Sequence, residues 1–223
     1  MILRKLWYCH KKYMGLFASK ESKNLIKACK ENDFEAAMNA LDSNKANINI
    51  RIKGETPLLL ACKHWKGCKL GEELVRRGAD VTVVYKDKSA ISHSTLSYCI
   101  KPEKIPLAKA LVEKGCSCVG WDLDLRCTLL HKAIQEGFEE LALLMLEKDP
   151  NCRGEAGYAN KFDWKIPLLA AVDKNYIRIV RVLLTVEGTP LEYKDSNGRT
   201  AMSIATENGS TEIMNMLRNA GAN

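Results

Sequence analysis

Four histidines (His10, His64, His93 and His131) and nine cysteines supply the residue types from which a hydrolase or a metal site would be built. No histidine has a serine or cysteine at a spacing that would make the two partners. The chain also lacks G-x-G-x-x-G, G-x-x-x-x-G-K-[ST], H-E-x-x-H and G-x-S-x-G. One cluster has enough ligand types to consider: Cys116, Cys118, Cys127 and His131, on a turn and the start of the next helix. Zinc knuckles space their cysteines two to four residues apart, and Cys-x-Cys is too tight for them. These thiols therefore read as small core residues, as do Cys9, Cys29, Cys62, Cys68, Cys99 and Cys152, most of which sit beside Ala, Leu or Ile. That placement fits a reducing compartment better than a disulfide framework. The sequence yields no catalytic, cofactor-binding or metal-ligating residue, and a small-molecule substrate is not expected.

Bulk properties narrow the class further. The chain has 223 residues, 46% apolar and 27% charged, enough for a sizeable core in one or two domains or in an extended array. No apolar run is long enough to span a bilayer, and residues 1–23 lack the apolar core of a secretory signal, so a cytoplasmic location is expected, with the nucleus or a host cytosol left open. Formal charge is +7, but Arg4, Lys5, Lys11, Lys12, Lys20 and Lys23 against Glu21 account for +5 of it. Outside that arm the chain is nearly neutral, which argues against nucleic acid as a partner.

The elements that would position any functional side chain show themselves as a repeat. TPLLLA at 56–61 recurs as SAISHS at 89–94, TLLHKA at 128–133, IPLLAA at 166–171 and TAMSIA at 200–205, with spacings of 33, 39, 38 and 34. Thr56-Pro57 reads as an N-cap followed by a proline in the first helical turn, whose missing N–H is no loss there. Each segment is followed by a second apolar stretch closing on a small or turn residue: ELVRRGAD, ALVEKGCS, LLMLEKDP, VLLTVEGT and NMLRNAGAN. In IPLLAAVDKNYIRIVRVLL, Leu168, Leu169 and Ala171 face one way, while Ile177, Val180, Leu183 and Leu184 recur at three and four residues. Two short helices of this kind leave apolar surface bare unless neighbours stack on both sides.

TLLHKA and TPLLLA resemble the T-P-L-H-x-A signature of ankyrin repeats, and RRGAD and NAGAN resemble the Gly-Ala-Asp/Asn that closes the repeat. The resemblance covers residues 22–223. It implies an all-α ankyrin-repeat solenoid of about six helix-turn-helix units with β-hairpin-like loops, residues 24–49 serving as an N-terminal capping repeat. Residues 1–21 form a separate basic amphipathic arm. Extra residues are expected between the helices of the second unit, where Pro102 and Pro106 bracket a break, and between Asp149 and Pro167, read as a projecting loop. The chain ends at Gly221-Ala222-Asn223, compatible with truncation and equally with a natural cap.

Ankyrin arrays bind protein partners through hairpin tips and the exposed positions of their first helices. Carried onto this sequence, those positions are Lys53, Glu55, Lys63, His64, Trp65, Tyr98, Trp121, Gln135, Trp164, Asp173, Lys174 and Arg199. Trp65 stands where the family normally has glycine, and His131 matches the signature histidine that hydrogen-bonds between repeats. Asn49, eight residues after Leu41 and one after Ile48, is similar to the ankyrin asparagines hydroxylated by the oxygen-sensing asparaginyl hydroxylase, with Asn47 replacing the usual acid. The resemblance thus implies a non-catalytic, monomeric scaffold or adaptor for a protein partner. The alternative is a regulatory or targeting module of a larger enzyme, channel or microbial effector. Residues 1–20 place Leu3, Leu6, Trp7, Tyr13, Leu16 and Phe17 among cations, which suits a membrane surface, an organelle presequence or an added helix on the first repeat.

Overall fold

The computed structural model describes residues 18–64, 67–86, 92–122, 127–149, 151–154 and 166–222. The chain divides into two compact units, Met1–Lys114 and Gly115–Asn223. Unit 1 begins with α1 (Lys20–Glu31) and α2 (Phe34–Asp42), followed by α3 (Pro57–His64) and α4 (Lys69–Arg76). A short hairpin of β1 (Val84–Lys86) and β2 (Ser92–Ser94) then leads into 3-10 turns at Thr95–Tyr98 and Pro102–Lys104 and into α5 (Ile105–Glu113). Unit 2 opens with the two-residue strands β3 (Trp121–Asp122) and β4 (Cys127–Thr128), then α6 (Leu129–Gln135), α7 (Glu139–Lys148) and the single turn α8 (Asn151–Gly154). Two further pairs complete it: α9 (Pro167–Asp173) with α10 (Ile177–Leu183), and α11 (Ala201–Glu207) with α12 (Thr211–Asn219). Both hairpins are antiparallel, with Val84 opposite Ser94 and Trp121 opposite Thr128.

The local chemistry explains where these helices start and stop. Leu59 N–H donates to Thr56 Oγ1 at 3.2 Å, as do His131 to Thr128 at 3.1 Å and Ser203 to Thr200 at 3.2 Å. Each hydroxyl satisfies one amide that the first turn leaves without a partner. Ile166 has no hydroxyl, and there Pro167 alone opens the helix. At the far end of α4, Gly78 takes φ +87, letting Ala79 N–H reach Leu74 O at 2.9 Å and Gly78 N–H reach Val75 O at 3.1 Å. This paired closure needs a left-handed residue. After α9 the same position is held by Asn175 at φ 57, with Tyr176 N–H on Ala171 O at 2.9 Å.

Packing follows the amphipathic stripes, with small corrections. Leu59, Leu60, Leu70, Leu74, Leu107 and Leu111 fill unit 1, and Leu130, Ile134, Leu141, Met145, Leu183 and Leu217 fill unit 2, all at 0% exposure. Leu168, Leu169 and Ala171 are buried as the periodicity predicts. In α10 the inward face is Ile179, Val180 and Leu183, whereas Ile177 and Leu184 are only half-buried. The stripe is thus turned slightly from the one read in the sequence, because Ile177 spends its first-turn position at the helix edge.

The second unit departs from the sequence reading. SAISHS does not open a helix: Ser92–Ser94 is a strand, and the helical segment starts at Thr95. The capped position is therefore Ser94, and successive starts lie at 56, 94, 128, 166 and 200, giving spacings of 38, 34, 38 and 34. The extra residues precede the first helix, in the segment after Gly78, and do not separate the two helices. Pro102 opens the second 3-10 turn and Pro106 sits in the first turn of α5, where a proline breaks nothing. Of the segment read in the sequence as a projecting loop, Asn151–Gly154 is helical and Cys152 is fully buried with its thiol on Met145 O; residues 155–165 lie outside the described residues.

Seven of the eight cysteines within the described residues are buried. Cys116, Cys118 and Cys127 are buried, and Cys118 Sγ faces the Cys116 carbonyl at 3.7 Å. Among the described residues no group of three or more His, Cys, Asp or Glu side chains is arranged to hold a metal ion. Burial pushes the Cys29 thiol up to about 12, where it is inert at neutral pH. Of the eight cysteines within the described residues, Cys68 alone is partly exposed. Iodoacetamide at mildly alkaline pH should therefore modify Cys68 before the other seven, read by peptide mass spectrometry. Equal early labelling of Cys29 or Cys118 would contradict the packing.

Candidate functional site

The first hairpin tip is built by two residues that accept positive φ. Ile52 and Glu55 exchange both backbone hydrogen bonds, at 3.0 and 3.1 Å, around Lys53 (φ 55) and Gly54 (φ +87). Positive φ at both central positions is the type I′ turn of a two-residue hairpin. It leaves Lys53 exposed and sets Glu55 at the foot of α3, one residue before the capping Thr56.

Glu55 is the centre of a line of side chains that crosses three successive helix pairs of unit 1. Lys30, in the last turn of α1, approaches Glu55 Oε2 at 3.3 Å. Lys63, in the last turn of α3, donates to Glu55 Oε1 at 3.4 Å. Lys63 Nζ also stands over the Tyr98 ring, 5.6 Å from its centroid, so the line passes from a carboxylate to an aromatic face. The Glu55 and Lys63 side chains are only 19% and 20% exposed and Lys30 is 44% exposed, so the inner charges are partly shielded from screening. His64 is exposed at the end of α3.

Lys104 supports this line from beneath. Its side chain is buried, at 3% residue exposure, and Nζ donates to the Cys62 carbonyl at 2.6 Å. Cys62 lies in the last turn of α3, where carbonyls run out of intrahelical donors. A cation at that end also suits the helix dipole.

In unit 2, Gln135, Asp173 and Lys174 are exposed and Arg199 is half-buried, and most of them are tied to their own or the next helix pair. Gln135 closes α6, and its Oε1 meets His131 Nε2 at 2.8 Å within the same helix. Asp173 closes α9; its carbonyl accepts from Asn208 Nδ2 at 3.3 Å, across to the next helix pair. Lys174 follows it, exposed. Arg199 pairs with Asp195 at 2.9 Å and Glu207 at 3.3 Å, which stiffens the last hairpin. Asn49 is exposed, yet its Oδ1 accepts from Asp80 N–H at 2.8 Å, tying one hairpin to the next.

Of the twelve positions, the structure brings together Glu55, Lys63 and Tyr98. Trp65 and Trp164 lie outside the described residues. Trp121 is described through its backbone, paired with Thr128. Lys30, Lys104 and Asn208 are not among the residues the sequence singles out. Lys30 sits in the capping pair, which lacks the Thr-Pro landmark, and Lys104 was hidden by the misplaced start of its repeat. Counting seven residues on from each capped start gives Lys63, Lys101, Gln135, Asp173 and Glu207, a register that only the corrected start reveals. Among the described residues no helix is long and apolar enough to cross a membrane.

Comparison with known proteins agrees with this architecture. Residues 152–223 match the family model described as ankyrin repeats (3 copies). The AVO2 subunit of target of rapamycin complex 2 from Saccharomyces cerevisiae is 34% identical over 97 residues, 42% of this chain; the match takes in 21% of that relative's length. An ankyrin repeat domain from Acinetobacter baumannii superposes with a TM-score of 0.59 at 24% identity, covering 89% of this chain and 98% of its own. A chain from the complex of a predatory endopeptidase of Bdellovibrio bacteriovorus with an immunity protein gives a TM-score of 0.55 at 20% identity, covering 91% and 98%. At these identities the structural likeness is one of fold.

Proposed function

From the premise that this is an ankyrin-repeat protein, we propose that it is a non-catalytic scaffold or adaptor that binds a protein partner along the hairpin tips and first-helix ends of its array. Ankyrin repeats generally mediate protein–protein interaction, and the matched yeast relative is a subunit of a complex. The observation that carries the reading is the line Lys30, Glu55, Lys63 and Tyr98, in which polar and aromatic groups from three helix pairs share one edge of unit 1. Side chains with an apolar body and a polar tip at such an edge are characteristic of binding hot spots. The array works by holding a constellation that no single repeat could form, since each pair is stable only against its neighbours.

A capture experiment tests this. The intact chain and a Lys63→Ala, Tyr98→Ala double variant of equal helicity are presented to the same lysate, and retained proteins are quantified by mass spectrometry. Selective loss of one protein by about tenfold or more, roughly 1.4 kcal/mol, is expected. Identical sets from both chains would remove the edge from consideration. The basic arm, residues 1–20, offers a second route of attachment, to an anionic membrane surface, favoured by its +5 charge and interleaved apolar residues. Unchanged binding to phosphatidylserine vesicles after deletion of residues 1–17 would dismiss it.

A further inference from the structure

Resting on that reading, we infer that the segment recognised by the edge of unit 1 is acidic, and that Glu55 is a built-in competitor for its carboxylates. Two lysines from different helix pairs, Lys30 and Lys63, converge on the single carboxylate of Glu55 at 3.3 and 3.4 Å. That geometry shows what the site fits: a carboxylate lying between two ammonium groups. Lys53 stands exposed at the adjacent tip, and Lys101 occupies in the next repeat the register position that Lys63 occupies in its own. Four lysines thus lie along an edge whose central carboxylate is Glu55.

Several other carboxylates of unit 1 are engaged away from this edge. Glu31 pairs with Lys27 at 3.9 Å, and Asp42 with Arg77. Arg76 and Arg77 hold Glu73 down to about 2, and Asp80 accepts from Thr82. The same register position in unit 2 carries Gln135, Asp173 and Glu207, so the cationic character belongs to unit 1. An acidic protein segment fits better than nucleic acid. Among the described residues the line offers one aromatic face, covered by Lys63, and no succession of stacking platforms.

The competitor role gives a test with opposite signs. Fluorescence anisotropy measures binding of a labelled decapeptide of alternating Glu and Ser to the intact chain and to single variants. Lys63→Gln should weaken binding about fivefold to tenfold, and Glu55→Gln should tighten it by several fold, because two lysines are released from their internal partner. Lys194→Gln, an exposed lysine of unit 2, should change nothing. Thermal melts of each variant separate misfolding from lost contacts. Weaker binding by Glu55→Gln, an unaltered Lys63→Gln, or tighter binding of a single-stranded oligonucleotide than of the peptide would each overturn the inference. If the peptide fails while the lysate partner is still lost with Lys63 and Tyr98, the scaffold reading stands and only the acidic partner falls.

Discussion

Leu107→Ala is expected to destabilise unit 1 by about 2–5 kcal/mol, the range for deleting a fully buried leucine where the surroundings cannot collapse. The reason it cannot collapse is Gly71. Leu107, in α5, is wholly buried against Gly71 of α4, so close that a Cβ on Gly71 would fall inside the van der Waals shell of the Leu107 methyls and 3.3 Å from Cγ. Glycine within a helix ordinarily costs about 1 kcal/mol relative to alanine, so the position is held by packing and not by propensity. Gly71→Ala alone should therefore destabilise by about 1–3 kcal/mol through overpacking, despite its better helix propensity. Together, the new methyl occupies part of the space the leucine vacated. The double variant should be less destabilised than the sum of the two by about 0.5–3 kcal/mol. Urea unfolding followed by circular dichroism measures all three, and strict additivity would mean that α4 and α5 do not approach as described. The contact matters for recognition because it joins the pair that carries Lys63 to the pair that carries Tyr98.

Much of this architecture was legible because its punctuation is chemical. Thr56, Thr128 and Thr200 announce helices by a hydroxyl that the following turn needs, and the stretches after them alternate with the right period. The second unit was misread because Ser89 and Ser94 both precede small and apolar residues, and nothing local distinguishes them. Tertiary structure does: Ser94, Thr95 and Leu96 are buried, while the residues just before them are drawn into a strand with β1. The candidate edge was only partly readable. Glu55, Lys63 and Tyr98 could be placed on it from repeat position, but their convergence with Lys30 depends on how the capping pair stacks, and that pair carries no landmark residue. Arg199 looked available for a partner and is instead committed to Asp195 and Glu207, a pairing over four and eight residues that hairpin geometry creates.

Lys104 carries the second large expectation. Lys104→Met keeps most of the apolar stem but removes the donor from the Cys62 carbonyl, and should cost about 1.5–3 kcal/mol, the range for a hydrogen bond made by a charged group. Lys104→Glu should cost more, about 3–5 kcal/mol, since it places a carboxylate against that carbonyl in a site with 3% exposure. Lys104→Arg keeps the charge, but its planar fork cannot reproduce a point donor in a cavity shaped for an ammonium, so it should fall between wild type and Met. Chemical denaturation orders the three; Met equal to wild type would mean that the bond contributes nothing. The functional consequence is separable from stability. Lys63 directly follows Cys62, and loosening the end of α3 should weaken the Lys63 contacts with Glu55 and Tyr98 even where unit 1 remains folded. Under native conditions, well below the melting transition, Lys104→Met should therefore bind the acidic decapeptide more weakly than wild type, although Lys104 is buried and touches no partner. A variant that is destabilised yet binds with wild-type affinity would show that the edge is set by its own ion pairs and not by the capped end of the helix.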